Sequence, residues 1–437
     1  MLFNVKADSR KVNKGDTFFA LKTIMSDGHK FIPKAIENGA TEIVCNKELC
    51  QEYNVNTDVP GVKFTFVEDC RKYLESYLVE NFSQIFEKMR LLVVTGTNGK
   101  TTTAFLAYQA FNRLGIKSAY VGTIGFYAPQ GKEGASGNTT PDLCDLYEDF
   151  VIAYNQGCEI FMVEGSSQGI VQGRMDTLKF DYAIFTNLTR DHLDFHKTME
   201  NYANAKLEVF KALKADGTAY LNIDDPWHKH FVLEENTNKF FGEAECDYQI
   251  TNIQNSMKGT SFCLNGMAFE SPLIGEYNVY NLSPIIAILL ERGFSYEEIR
   301  QMVAELQNGE GRMETRHYKD NLIIVDYAHT PDGMEKIINA VREITPGKIY
   351  IVFGVRGNRD RGKRPEMMRI ATENSAFAIV TMVHLYGEEF DHIAGDLTEG
   401  CQADNYQVIE DRGEAIKKGI SLLDSQDTLL ILGKGHE

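Results

Sequence analysis

Short apolar runs alternate with stretches of helical period through most of the chain. "RLLVVTG" (90–96), "EIFMVEG" (159–165), "YAIFTN" (182–187) and "TAYLN" (218–222) are too short for helices and show no polar alternation. That pattern predicts strands buried on both faces of a parallel sheet. Between them, residues 101–114 and 201–213 carry helical spacing, the first closed by Gly115. Upstream, "KFIPKAIENGA" predicts a helix ending at Gly39, followed by a strand "TEIVC". Downstream of "GRMET" the alternation resumes. It reads strand "LIIVDYA", a helix from Pro331, strand "KIYIVFG", a helix near 363–375, then strands "FAIVTMV" and "TLLIL". Strands alternating with helices predict an α/β fold with mostly parallel sheets. Three blocks are expected: an α/β domain at 1–88, a central domain at 89–311 and another open α/β unit at 312–437.

One polar residue breaks the pattern. On the 201–213 helical wheel Tyr202, Ala205, Val209, Phe210 and Leu213 form an apolar stripe, and Lys206 falls inside it. An ammonium on that face must snorkel, pair, or change chemically.

Composition narrows the class. A length of 437 residues suits about three domains. The net charge of −17 argues against a nucleic-acid partner. No run reaches the ~20 apolar residues of a membrane span, and the opening "MLFNVKADSRKVNKGD" is charged too early for a signal peptide. The eight cysteines include no C-x-x-C pair and read as reduced thiols, so a cytoplasmic protein is expected.

The sharpest motif is "GTNGKT". Gly96, Thr97, Asn98, Gly99, Lys100 and Thr101 sit where a buried strand meets a helix. The loop is two residues shorter than the common Gly-x-x-x-x-Gly-Lys-Ser/Thr spacing. It still keeps each working part: glycines that let amides approach phosphate, a helix N-terminus, a lysine and a hydroxyl for Mg²⁺. Glu164 ends a neighbouring strand at the usual ligand crevice and could reach the same ion. If Lys206 is buried its pKa falls, and the neutral amine can take up CO₂ as a carbamate. His192, in "DHLDFH", could join it at a second metal.

With these residues in view, the chain resembles the Mur ligases of peptidoglycan precursor synthesis. It is most similar to the branch that adds an amino acid to UDP-N-acetylmuramoyl-L-alanyl-D-glutamate. The resemblance rests on "DSRKVNKGDTFFAL", "GTNGKTTT", "NTTPD", "EGSSQGIVQGR", "FTNLTRDHLDFHKTMENYANAK", "GEYNVYN", "GRMET", "DYAHTPD", "RGNRDRGKRP" and "GKGHE", in order along nearly the whole chain. It implies a UDP-binding first domain, a central ATPase domain and a C-terminal Rossmann-like domain supplying the amino acid. The short phosphate loop is itself a mark of the family. The resemblance also implies ATP bound by 96–101 with Thr102, two Mg²⁺ ions, and a carbamate on Lys206. Lys100, Glu164, His192 and Lys206 would then be catalytic, with Thr101, Glu164, His192 and Lys206 at the metals. Asn281 would face adenine, Arg312 phosphate and Asp326 the ribose. Thr139, Thr140, Ser166, Gln172 and Arg174 would grip the UDP-sugar peptide, and Ser9 the nucleotide in the first domain. Arg359 would hold the free amino acid's carboxylate, with Gly433 and Glu437 around its far amine. A monomer acting on these two substrates is expected, with neither nucleic acid nor membrane as partner.

Three departures stand out. Where the family has Ser-Asp-Asn-Pro-Arg, whose arginine clamps diaminopimelate, this chain has "TMVHLYGEE", with Val383, His384, Leu385 and Tyr386 in the motif. The clamping arginine is gone, and diaminopimelate is not the expected amino acid. Relatives continue for some tens of residues past the position of Glu437. The loop "LKTIMSDGH" lacks a glycine that relatives carry after Leu21-Lys22. A Mur-type ligase recruited to another pathway, with a different amine or carboxylate donor, is the alternative. A degenerate nucleotide-binding scaffold is disfavoured by the intact Lys100, Thr101, Glu164, His192 and Lys206. Folylpolyglutamate synthetase shares the ATPase plan, but has no reason to carry "EGSSQG".

Overall fold

In the strand Arg90–Thr95, Leu91 and Val93 pack into one hydrophobic cluster while Leu92 and Val94 pack into another on the opposite face. Burial on both sides is why the run shows no alternation. The strands Ile160–Gly165 and Phe180–Phe185 flank it in parallel, so Val94 faces Glu164 on one side and Ile184 on the other. The computed structural model that shows this describes residues 1–23 and 26–437; Ile24 and Met25, within the "LKTIMSDGH" loop, lie outside the described residues.

Three sheets are formed among the described residues. The first has four parallel strands, Val5–Lys6, Thr17–Phe19, Glu42–Cys45 and Lys63–Phe66. The central sheet has eleven. Its parallel core runs Thr237–Gly242, Leu213–Asn222, Phe180–Phe185, Arg90–Thr95, Ile160–Gly165 and Ser118–Gly122. Antiparallel wings extend both edges: Gly125–Ala128 with Gly131–Gly134 on one side, and the strands from Tyr248 to Ser271 on the other. The third sheet has six strands, parallel except for the hairpin Glu314–Tyr318 with Asn321–Val325.

The predicted helices form with small shifts. The first after the phosphate loop spans Lys100–Arg113 and closes at Gly115, φ +82°. The second spans Met199–Lys211. It stops short of the expected 213 because Leu213 opens the strand Leu213–Asn222, an apolar position that both periodicities share. On its inner face Tyr202, Ala205, Val209 and Phe210 are buried, and Lys206 is only 1% exposed. The lysine does not snorkel. All eight cysteines are free thiols, and no helix among the described residues is long and apolar enough to cross a membrane.

Candidate active site between the central and third sheets

The loops that leave the C-terminal ends of the central parallel strands meet the third domain around a cavity of about 650 Å³. The phosphate loop forms its floor. Gly96 adopts φ +149°, and a Cβ there would run into Thr186 Oγ1. Gly99 has φ +85°, and a Cβ would come within 2.5 Å of Asn281 Oδ1. Only glycine suits either place. The loop is clamped from behind: Thr97 N–H donates to Asn187 O, Asn98 N–H to Asn187 Oδ1, and Thr186 Oγ1 to Asn98 O. Gly99 is the helix N-cap and supplies no side-chain cap. The first-turn amides of Lys100, Thr101 and Thr102 therefore point out of the helix as anion donors.

Two lysines converge on one carbonyl. Lys100 Nζ donates to Gly96 O at 3.0 Å and to Thr97 O at 2.8 Å, while Lys206 Nζ donates to the same Gly96 O at 2.7 Å. Burial holds both amines below the usual lysine range, and for Lys206 the neighbouring Lys100 adds to the depression. Lys206 also lies 4.6 Å from the centre of the Tyr202 ring.

Across the floor, Glu164 is fully buried at its strand end. It accepts from Thr101 Oγ1 at 2.8 Å, from Thr123 N–H at 2.9 Å and from the Tyr120 hydroxyl. Thr101 Oγ1 in turn accepts from Arg312 Nη2 at 3.0 Å, and the Arg312 guanidinium sits 4.4 Å over the Tyr327 ring. Arg312 Nε is buried without a partner. His192 lines the same cavity in a left-handed conformation, φ +54°. Burial, with Lys100, His329 and Lys206 adding, pushes its imidazole down to about 3, against the opposing pull of Asp191. It is neutral and able to offer a lone pair.

The other candidates fall into four groups. Thr139, Ser166, Asn281, Arg312 and Asp326 line the cavity with the loop. Asn281 is held under Gly99 by Thr103 Oγ1 and by its own donation to Asn278 Oδ1. Asp326 accepts the backbone N–H groups of Met313 and Ala328, and burial raises its carboxyl. Thr140 adjoins the cavity through bonds to Glu164 O and Ser166 Oγ, and Arg174 Nη1 donates to Thr140 O. Gln172 is exposed and is not among the residues lining the cavity, and Ser9 lies in the first domain, buried, away from this cavity. Arg359, Gly433 and Glu437 belong to the third domain beyond Arg356.

Sequence reasoning missed Asp191. Its carboxylate is 4% exposed and pairs with Lys363 Nζ at 3.0 Å and His329 Nε2 at 3.6 Å, both from the third domain. Lys363 and His192 hold its carboxyl well below the usual range against burial. Asn98 of the loop likewise donates to Asp332 at 2.7 Å and accepts from Thr330. The available signal was the charge clustering in "RDH", "DYAHTPD" and "RDRGKRP", which gives no hint of who meets whom.

A short phosphate loop, a strand-end carboxylate, a buried lysine beside it and a third α/β domain closing the cavity define an ATP-using ligase. The chain belongs to the Mur ligase family. Residues 3–75 match "Mur ligase family, catalytic domain", residues 94–289 "Mur ligase middle domain" and residues 311–435 "Mur ligase, glutamate ligase domain". A Clostridium acetobutylicum protein named UDP-N-acetylmuramoyl-L-alanyl-D-glutamate–2,6-diaminopimelate ligase 1 is 36% identical over 99% of this chain and 90% of its own. A solved structure with that ligase name is 29% identical, with a TM-score of 0.65, over 100% of this chain and 90% of that one. The MurF ligase of Thermotoga maritima, solved with ADP, shares the fold at 20% identity and a TM-score of 0.76, covering 99% of this chain and 94% of that one.

Proposed function

We propose that this chain joins an amino acid to UDP-N-acetylmuramoyl-L-alanyl-D-glutamate, using ATP and an acyl phosphate, as a cytoplasmic monomer in peptidoglycan precursor synthesis. The observation that carries the reading is the meeting of Lys100, Lys206, Glu164 and Arg312 around one phosphate loop. Domain limits at 88/89 and 311/312 accompany it, with Arg312 then the first residue of the third domain.

The residues present suit the group they would hold. The Gly96 and Gly99 positions are cradles that a Cβ would fill, and the orphaned Arg312 Nε awaits an acceptor. Among the described residues no three His, Cys, Asp or Glu side chains gather as a ready metal site. Thr101 and Glu164 would hold one Mg²⁺ together with phosphate oxygens, and His192 with carbamylated Lys206 a second. Bound there, the ions would supply charge neutralisation for phosphoryl transfer. A neutral Lys206 is the form able to take up CO₂, and the carbamate replaces a buried amine by an anionic ligand.

The donor carboxylate attacks the γ-phosphorus and ADP leaves. Lys100, Arg312 and the first-turn amides stabilise charge on the transferring group. Next, the amine nitrogen bonds to the acyl carbon, the acyl C–O bond breaks, and phosphate leaves with the electron pair. Of the two protons lost by the substrate ammonium, one ends on phosphate and one in solvent. Closure of the third domain keeps water from the acyl phosphate.

The test has two readings. ADP release should depend on both the UDP-sugar dipeptide and an amine. Enzyme equilibrated with ¹³C-bicarbonate should show a carbamate carbon signal that the Lys206→Ala variant lacks. ADP release indifferent to the donor contradicts the donor assignment, and an unchanged spectrum in the variant contradicts the carbamate. A Mur-type ligase with a different acceptor amine is favoured by one observation, the segment Val383–Tyr386.

A further inference from the structure

A second cavity, of about 400 Å³, opens at the end of the central sheet opposite the phosphate loop. Arg90 begins the strand that runs into that loop, and Tyr182 lies near the start of the neighbouring strand Phe180–Phe185. Thr218 comes from Leu213–Asn222, and Arg292 caps the C-terminal end of the helix Glu276–Glu291. The strand Arg90–Thr95 spans about 17 Å, so phosphates held at the loop do not reach this cavity.

The polar groups around it are unequally satisfied. Two of its three carboxylates are occupied. Asp181 accepts from Lys214 Nζ and from Leu91 N–H, both at 2.9 Å. Glu291 accepts from the Tyr220 and Tyr248 hydroxyls, each at 2.6 Å, with Lys239 at 3.8 Å. Asp216 is exposed and has no side-chain partner among the described residues. The donors are in the opposite condition. Arg292 forms no ion pair among the described residues; its guanidinium stands 5.5 Å from the centre of the Phe111 ring, and its Nε is buried without a partner. Arg90 donates through Nη1 to the Tyr182 hydroxyl at 3.0 Å and meets no carboxylate among the described residues. Because the Tyr182 oxygen accepts that bond, its own hydrogen is left over, as is that of the Thr218 hydroxyl.

Two guanidiniums and two hydroxyls with unused hydrogens suit a partner rich in acceptors and poor in donors. We propose that this cavity is a second oxyanion site, binding a phosphate group, as the free ion or as the head of a phosphomonoester, separately from the nucleotide. Arg90 and Arg292 supply the charge and the forked donors that match phosphate oxygens. The Tyr182 and Thr218 hydroxyls donate to the remaining oxygens, and the orphaned Arg292 Nε gains an acceptor. Asp216 is the one carboxylate left to oppose the ligand, and its exposure to water limits that opposition. The inference stands apart from the ligase reading, because none of these residues has a part in the chemistry at the loop.

The experiment is calorimetric titration of the full chain, its phosphate loop first filled with a non-hydrolysable ATP analogue and Mg²⁺. Inorganic phosphate and glycerol 3-phosphate are the two probes, in chloride buffer. At least one should bind saturably, one per chain, and its affinity should fall by about tenfold or more in Arg90→Gln and in Arg292→Gln, the scale of a lost hydrogen bond to a charged group. Tighter binding of glycerol 3-phosphate assigns the site to a phosphomonoester, and equal or tighter binding of inorganic phosphate assigns it to the free ion. The affinity for the ATP analogue should be unchanged in both variants, which shows that they are folded. Asp216→Asn supplies a gain that misfolding cannot mimic: phosphate should bind it about two- to fivefold more tightly. Absence of saturable binding by either probe overturns the proposal, as does equal affinity in wild type and the two arginine variants.

Discussion

Lys206 is the residue on which the chemistry turns. A buried lysine normally needs a carboxylate, yet its Nζ contacts a carbonyl and an aromatic face and shares that carbonyl with Lys100. Burial and the like charge both favour the neutral amine. Lys206→Ala should lower ADP release by about 10²–10³-fold or more, the scale of losing a preorganised electrostatic group. Unaltered turnover would show that the lysine is structural. Carbamate formation releases a proton, so it weakens as pH falls. Activity lost in CO₂-free buffer should return with bicarbonate, and the loss should be faster at pH 6 than at pH 8. The sequence made Lys206 visible because a single charge interrupts an apolar stripe. Glu164 was visible as a carboxylate closing a strand. Tyr120 and Asp191 were not, because each acquires its role from partners 44 and 172 residues away.

At the scale of elements, the phosphate loop works because two glycines take backbone conformations that other residues resist. Gly99→Ala would set a Cβ 2.5 Å from Asn281 Oδ1 at φ +85°. Nucleotide affinity measured by calorimetry should fall at least about tenfold, with a stability loss of about 1–3 kcal/mol from backbone strain. Wild-type affinity would mean that the loop can shift without cost. The strands of the parallel cores were legible because burial on both faces leaves runs with no polar break. The antiparallel wings were less so. In Tyr248–Ser256 only Tyr248 and Ile250 are buried, and the remaining positions carry no chemical motif. The helix end at Lys211 was missed by two residues because Leu213 satisfies both the helix before it and the strand after it.

Across the whole molecule, the third domain is held on the central one by polar contacts at the site. Lys363 pairs with Asp191 at 3.0 Å with both side chains nearly buried, Arg190 pairs with Asp360, and Asn98 reaches Asp332. Lys363→Met should leave Asp191 undercompensated and favour an open arrangement. A lower kcat with a larger radius of gyration in X-ray scattering is expected, whereas an unchanged radius would separate the contact from closure. Within the third domain, Arg364 is 1% exposed and bound to Glu388, whose carboxyl Arg364 pulls down to about 2. The folded-state pKa is depressed, so this pair stabilises above the ordinary value of 4.5 and is lost as pH falls from 4.5 toward 2. Glu388→Gln should cost about 3 kcal/mol at pH 7 in urea unfolding, with the gap to wild type narrowing over that acid range. A constant gap would locate the stabilisation elsewhere. None of these pairings is legible in a linear sequence, since each joins side chains from separate elements.

The central claim is that ATP at this loop activates the donor's carboxylate. The most direct measurement uses UDP-sugar dipeptide labelled with ¹⁸O in the terminal carboxylate of its glutamate. Attack on the γ-phosphorus followed by amine displacement must carry one labelled oxygen from that carboxylate into each phosphate released, leaving the other in the amide. Phosphate containing one ¹⁸O per turnover is the result predicted. Phosphate free of label, with product still forming, would contradict the acyl phosphate route.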